Sequence, residues 1–193
     1  MRIIAGELGG RRIVAPPGDG TRPTSERVRE ALFGILGDPP PGARVLDLFA
    51  GSGALALEAL SRGAGSAVLV DASRAAARVA RANILTLGVQ DRAQVWTMPA
   101  LRALRRLEAT AQTSADAAPF SWVFIDPPYR EVDLAARALD ALAGGALLAP
   151  AGVVAVEHDR RREPPAPARG AVEKATVRRY GDTAISIYRV SNR

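Results

Sequence analysis

Val45-Leu46-Asp47-Leu48-Phe49-Ala50-Gly51-Ser52-Gly53-Ala54-Leu55-Ala56 reads as a buried strand, a glycine turn and the opening of a helix. Gly-x-Gly-x-x-Ala in that position lets the backbone approach a ligand, and the N–H groups that open the helix favour an anionic group. Asp71 follows Gly51 by 20 residues at the end of the next strand pattern, where a carboxylate accepts hydrogen bonds from ribose hydroxyls. Two cofactors compete for such a loop, NAD and S-adenosylmethionine. Asp47 favours the second, because an acid beside the loop repels a pyrophosphate and suits an ammonium and a sulfonium. The blander readings are a tight turn with no ligand and an Asp47 that only caps neighbouring backbone.

Outward from this unit, strands and helices alternate: strand 44–49, helix 54–62, strand 66–71, helix 73–87, strand 93–97, helix 100–109, strand 121–126, helix 132–143 and strand 152–157. That order predicts an α/β fold with a doubly wound, mostly parallel sheet. Residues 174–180 and 184–190 alternate around Gly181-Asp182 and read as a C-terminal antiparallel hairpin. At the other end, residues 2–14 alternate around Gly9-Gly10 and predict an N-terminal β-hairpin carrying Arg2, Arg11 and Arg12. Thr24 or Ser25 can cap a helix whose apolar positions Val28, Ala31, Leu32, Ile35 and Leu36 run to Gly37. Segment 111–120 is small and polar and reads as a surface loop; neither it nor the Arg-, Pro- and Glu-rich 159–170 looks like a domain linker. The expected organisation is a basic hairpin and loop over 1–20 and a catalytic unit over 21–193.

A second informative stretch is Val123-Phe124-Ile125-Asp126-Pro127-Pro128-Tyr129-Arg130. Prolines cannot continue a central strand, so Asp126 should stand at a strand's carboxyl end, where open α/β sheets bind ligands. The prolines fix their own φ and bias Asp126 toward extended backbone, holding carboxylate, carbonyls and ring together. Such a rim suits a planar, amine-bearing base; a Pro-rich turn with an aromatic lid is the alternative.

Composition limits the chemistry. There is no cysteine and a single histidine, His158, so thiolate metal sites, disulfides and histidine clusters are excluded and no metal is expected. His158 itself reads as structural, and Trp96 and Trp122 as packing residues within strands. No apolar stretch approaches the ~20 residues of a membrane span, which predicts a cytoplasmic protein. Basic residues outnumber acidic six to four over 1–36, run eleven to twelve over 37–157, and stand nine to four over 158–193. A neutral middle between basic ends suits a polyanion such as nucleic acid. Since Lys174 is the one lysine, a general bias toward arginine is the competing explanation. Arg2, Arg11, Arg12 and Arg22 are the candidates for nucleic-acid phosphates.

Taken together, Arg2-Ile3-Ile4-Ala5-Gly6, Gly9-Gly10-Arg11-Arg12, Arg22-Pro23-Thr24, Arg27-Val28-Arg29-Glu30-Ala31-Leu32-Phe33, Leu46 to Gly53, Asp71 and Asp126-Pro127-Pro128-Tyr129 resemble the bacterial 16S rRNA guanine-N2-methyltransferases. The resemblance spans nearly the whole chain. It implies a Rossmann-like S-adenosylmethionine-dependent methyltransferase with seven core strands, acting on 16S rRNA in the small ribosomal subunit. By that resemblance Asp126 and the Pro127 carbonyl accept from the guanine amine, Pro128 stiffens the corner and Tyr129 stacks on the base. Cofactor contacts fall to Thr24, Asp47, Phe49, Ala50, Gly51, Ser52, Gly53, Asp71, Ala72 and Ala100, with Arg27 closing the pocket beside Thr24. Arg130 is placed either on the target phosphate or on Glu131 or Asp133. One departure stands out: Thr97-Met98-Pro99-Ala100 offers no acidic or amide side chain to an adenine, leaving a backbone group near Ala100. A monomer is expected. The rival readings are a DNA amino-methyltransferase acting on adenine N6 or cytosine N4, a non-catalytic RNA-binding assembly protein, and a nicotinamide-dependent enzyme.

Overall fold

The computed structural model describes residues 1–16, 26–113, 118–128, 132–162, 167, 170 and 172–191. After an N-terminal segment the elements are α1 (Glu26–Leu36), β1 (Arg44–Leu48), α2 (Ala54–Ser61), β2 (Ser66–Asp71), α3 (Arg74–Leu87), β3 (Ala93–Thr97), α4 (Ala100–Thr113), β4 (Phe120–Ile125), α5 (Val132–Gly144), β5 (Leu148–Asp159), β6 (Val172–Tyr180) and β7 (Thr183–Val190). They form one seven-stranded sheet in the order β3-β2-β1-β4-β5-β7-β6. The first five strands are parallel; β7 is antiparallel to β5 and β6.

The inner strands are apolar at nearly every position because both faces of the sheet are covered. Side chains alternate between two cores. Val45, Leu69, Trp122, Phe124, Ala155 and Ile185 pack with α1, α2 and α3. Leu46, Leu48, Val123, Ile125, Val156 and Tyr188 pack with α4 and α5. Helix boundaries follow local chemistry: the Ser73 hydroxyl accepts from Ala76 N–H at 3.3 Å to open α3, and Gly88, with φ 74°, closes it.

The N-terminal hairpin is reduced to a single antiparallel bridge, Arg2 to Arg12. Ile3 N–H donates to Arg11 O and Gly10 N–H to Ile3 O, both at 2.9 Å. Ile13 N–H donates to Met1 O at 3.1 Å, and other polar groups of the segment are used on α1, α2 and α3. Glu58 accepts from Ile4 N–H at 2.7 Å and Ala5 N–H at 3.0 Å, and the Ser61 hydroxyl accepts from Leu8 N–H at 3.0 Å. Gly6 sits so close that a Cβ would lie 1.9 Å from Ser61 O. Ile3, Leu8 and Ile13 join the same core as α1 and α2. The expected boundary at residues 20 and 21 lies outside the described residues, as does the capping position at 24 or 25.

Two boundaries differ from the sequence expectation by more than two residues. α4 runs to Thr113, so the expected loop at 111–120 is helical in its first three residues. There Thr110 and Thr113 hydroxyls donate to Arg106 O at 3.0 Å and Ala109 O at 3.1 Å, compatible with helix despite low propensity. β5 begins at Leu148, opposite Phe120, and passes an irregularity before Trp122 pairs with Val153. Pro150 and Gly152 hide this first part, and Ala151, with φ 59°, marks the bend.

Candidate functional site

The sheet has its switch point between β1 and β4: from β1 the chain winds out through β2 and β3, then returns to β4 on β1's other side. Ligands of open α/β sheets lie at such a point, at the strands' carboxyl ends. Leu48 pairs with Ile125, and Asp126 N–H points to Leu48 O at 3.5 Å. The glycine turn after β1 and Asp126-Pro127 after β4 therefore leave the sheet side by side.

The turn is shaped by its backbone. Phe49 has φ 69°, and Ala50 N–H donates to Val70 O at 2.9 Å, tying the turn to β2. Gly53 caps α2 with φ 81°; a Cβ there would meet Leu69 Cδ2 at 2.6 Å, so glycine lets α2 close on β2. A Cβ on Gly51, by contrast, would meet nothing within 4 Å. Asp71 Oδ2 accepts from Gly51 N–H at 2.9 Å and its Oδ1 from Ser73 N–H at 2.7 Å, so one carboxylate bridges the ends of β1 and β2. Met98 N–H donates to Asp71 O at 3.0 Å and brings 97–100 to the same rim. Ala100 is buried at the start of α4 and Ala72 is exposed.

Asp47 is buried on β1. Its Oδ2 accepts from Ala56 N–H at 3.1 Å, and among the described residues its Oδ1 has no partner. Burial pushes its carboxyl up to about 8; the Ala56 hydrogen bond opposes this, while the Asp126 and Asp71 charges add to it. A buried, half-partnered carboxylate with two more acids nearby is suited to a cationic ligand group and hostile to a pyrophosphate. The ammonium and sulfonium of S-adenosylmethionine fit these acceptors. Pro127 is buried, Pro128 exposed and Asp126 half-buried. Tyr129, Arg130, Thr24 and Arg22 lie outside the described residues.

The loop is also held from behind. Asn83 Nδ2 donates to Ser52 O and to Val14 O, both at 2.9 Å, and its Oδ1 accepts from Val14 N–H at 2.8 Å. Ser52, itself buried, reaches Met1 Sδ at 3.7 Å. The sequence assigns no role to Asn83, Glu58 or the buried Arg29, whose Nη2 donates to Arg2 O at 2.5 Å. The available signal was a polar side chain inside an apolar helical stripe.

The four candidate RNA arginines part company. Arg11 Nη1 donates to Leu87 O at 2.9 Å and Nη2 to Thr86 O at 2.5 Å, capping the carboxyl end of α3. Arg2 is exposed and pairs with Glu26 at 3.4 Å, whereas Arg12 and Arg27 are exposed. His158 is buried: Nδ1 lies 2.9 Å from Asp159 O and Nε2 2.8 Å from the Ser186 hydroxyl, which fits the expected structural role. Trp122 packs against Phe33 and Phe124, and Arg106 lies over Trp96 at 4.7 Å. Among the described residues no helix is long and apolar enough to cross a membrane.

Comparison with known proteins places the chain. The family model described as conserved hypothetical protein 95 matches residues 1–189. YlbH of Bacillus subtilis (strain 168) is 38% identical over 189 residues, covering 98% of each chain. Ribosomal RNA small subunit methyltransferase D of Escherichia coli (strain K12) is 36% identical over 189 residues, covering 97% of this chain and 89% of that protein. The solved structure of Escherichia coli yhhF superposes with TM-score 0.78 at 34% identity, covering 100% and 99% of the two chains. An O-methyltransferase from Bacillus cereus, solved in complex with SAH, shares the fold at TM-score 0.62 and 20% identity over 90% of this chain and 84% of that one. The chain thus belongs to the conserved hypothetical protein 95 family, the family of ribosomal RNA small subunit methyltransferase D.

Proposed function

We propose that this protein transfers a methyl group from S-adenosylmethionine to the exocyclic N2 of a guanine in 16S rRNA of the small ribosomal subunit. The observation that carries the proposal is the meeting, at the switch point, of Asp126-Pro127 with a glycine turn flanked by the buried, half-partnered Asp47. Membership of the methyltransferase D family supports the substrate class.

In this reading the cofactor supplies an electrophilic methyl group on a sulfonium. Asp47 faces its ammonium, Asp71 its ribose, and Gly51 with Ser52 and Gly53 admit its methionine portion; Thr24, Phe49, Ala50, Ala72 and Ala100 complete the pocket. A guanine amine is a weak nucleophile because its lone pair is delocalised into the ring. The Asp126 carboxylate and the Pro127 carbonyl accept from its two N–H groups and favour a pyramidal nitrogen, while Pro128 holds the corner and Tyr129 stacks on the extruded base. Asp126 also holds the proton that the nitrogen sheds. Residues 1–20 serve as a basic arm on the catalytic unit 21–193, with Arg2, Arg12 and Arg22 toward rRNA and Arg11 holding the arm to α3, and the protein works as a cytoplasmic monomer.

The test is transfer of labelled methyl from S-adenosylmethionine to small subunits lacking the modification, with naked 16S rRNA and duplex DNA in parallel, followed by nucleoside analysis. N2-methylguanosine in ribosomal RNA is the expected product. Label in duplex DNA, or on another base, overturns the assignment.

A further inference from the structure

The function above uses the basic N-terminus and leaves the more basic C-terminal stretch unexplained. Strand register shows where part of that charge goes. Ile125 pairs with Val156, so Asp126 stands level with Glu157 on the neighbouring strand. Glu157 pairs with Ile185, and Ile185 with Arg178. Asp126 and Arg178 therefore lie on one row, three strand spacings apart, about 14 Å at ~4.8 Å per strand.

Just beyond that row, the turn after β5 carries Arg160, Arg161 and Arg162, all exposed. It is pinned to the β6–β7 turn by Arg160 N–H, which donates to Asp182 O at 2.9 Å, and Arg161 N–H donates to Asp159 Oδ1 at 2.8 Å. The three side chains are thus displayed from a braced turn at the sheet end that carries Asp126. Several other arginines are engaged within the protein, Arg62 by Glu58 at 2.8 Å, Arg92 by Glu7 at 2.5 Å and Arg11 by helix carbonyls, while Arg178 Nη1 donates to Thr176 Oγ1 at 2.9 Å and leaves its other nitrogen outward. Among the described residues no carboxylate bridges Arg160, Arg161 or Arg162.

We propose that Arg160, Arg161 and Arg162, with Arg178 beside them, form a second RNA-binding surface that holds backbone phosphates of the strand flanking the target nucleotide. The inference rests on the RNA substrate proposed above and adds a location to it. The occupant follows from charge: arginine clusters with solvated, forked guanidinium groups suit phosphate, and the row places them a few nucleotides from Asp126.

The experiment compares the wild type with the triple variant Arg160→Ala, Arg161→Ala, Arg162→Ala. A control, Lys174→Ala with Arg189→Ala, removes cations from the opposite end of β6 and β7. Binding to a labelled single-stranded RNA and to small subunits is measured against salt concentration, with SAH affinity and melting temperature as checks on folding. The expected result is a log–log salt slope shallower by about 2 for the triple variant, at about 0.7 per phosphate contact, with SAH affinity and the control slope unchanged. A triple variant that folds, binds SAH and keeps the wild-type slope overturns the surface, and so does an equal loss in the control, which would be a net-charge effect. Methyl transfer to subunits by the wild type, measured alongside, separates failure of this surface from failure of the RNA substrate itself.

Discussion

A buried carboxylate with one unpartnered oxygen is costly unless something positive meets it, and that makes Asp47 the most informative side chain in the crevice. With its carboxyl at about 8, Asp47 is mostly protonated at pH 7. Binding a ligand ammonium there favours the ionised form and expels a proton. Calorimetric enthalpies of SAH binding at pH 7 should therefore vary with the ionisation enthalpy of the buffer, and affinity should rise between pH 6 and 8. Asp47→Asn should remove the buffer dependence. Asp126 plays the other part. It is half-buried at the rim and is assigned above to the guanine amine, so Asp126→Ala should lower kcat by about 10²–10³-fold or more while SAH affinity changes little. Single-turnover rates and equilibrium binding on the same variant check this, and strong residual turnover would remove Asp126 from the chemistry.

At the scale of elements, the N-terminal segment behaves as part of the scaffold that holds the turn. Asn83 on α3 grips Val14 and Ser52 together, and Glu58 on α2 takes the amides of Ile4 and Ala5. Arg11 and Arg12 are adjacent in sequence, yet one caps α3 and the other faces solvent. Their substitutions should separate accordingly. Arg11→Ala should lower stability by about 1.5 kcal/mol, the low end for hydrogen bonds made by a charged group because the residue is exposed, read as a shift in the denaturation midpoint. Arg12→Ala should leave that midpoint in place and weaken RNA binding with a shallower salt slope. This distinction was hidden from the sequence, because both residues sit in one basic tract and the carbonyls of Thr86 and Leu87 lie 75 and 76 residues beyond Arg11.

For the molecule as a whole, the buried acid links folding to pH. The unfolded carboxyl titrates near 3.8 and the folded one near 8, so the native state retains a proton that the unfolded chain releases. Stability from this group is complete below the unfolded value and is lost as pH rises toward 8. Melting temperature of the ligand-free protein should fall across that window, and Asp47→Asn should flatten the fall; an identical profile in the variant would refute the linkage. The alternation of strands and helices, the glycine turn, the acid at the end of β2 and the proline-closed β4 were legible in the sequence, because periods of 2 and 3.6 and the φ demands of Gly and Pro are local properties. Expectation failed where local signals conflict, at the helical Ala111–Thr113 and at Leu148–Ala151, where Pro and Gly mask a bent strand. Tertiary structure alone decided the partners. It buried Arg29 and Glu58 under the N-terminus, diverted Arg11 to a helix end, and set Asp126 on one row with Arg178. Such meetings follow from sheet order and long-range packing, which join residues far apart in the chain and leave no periodic trace in it.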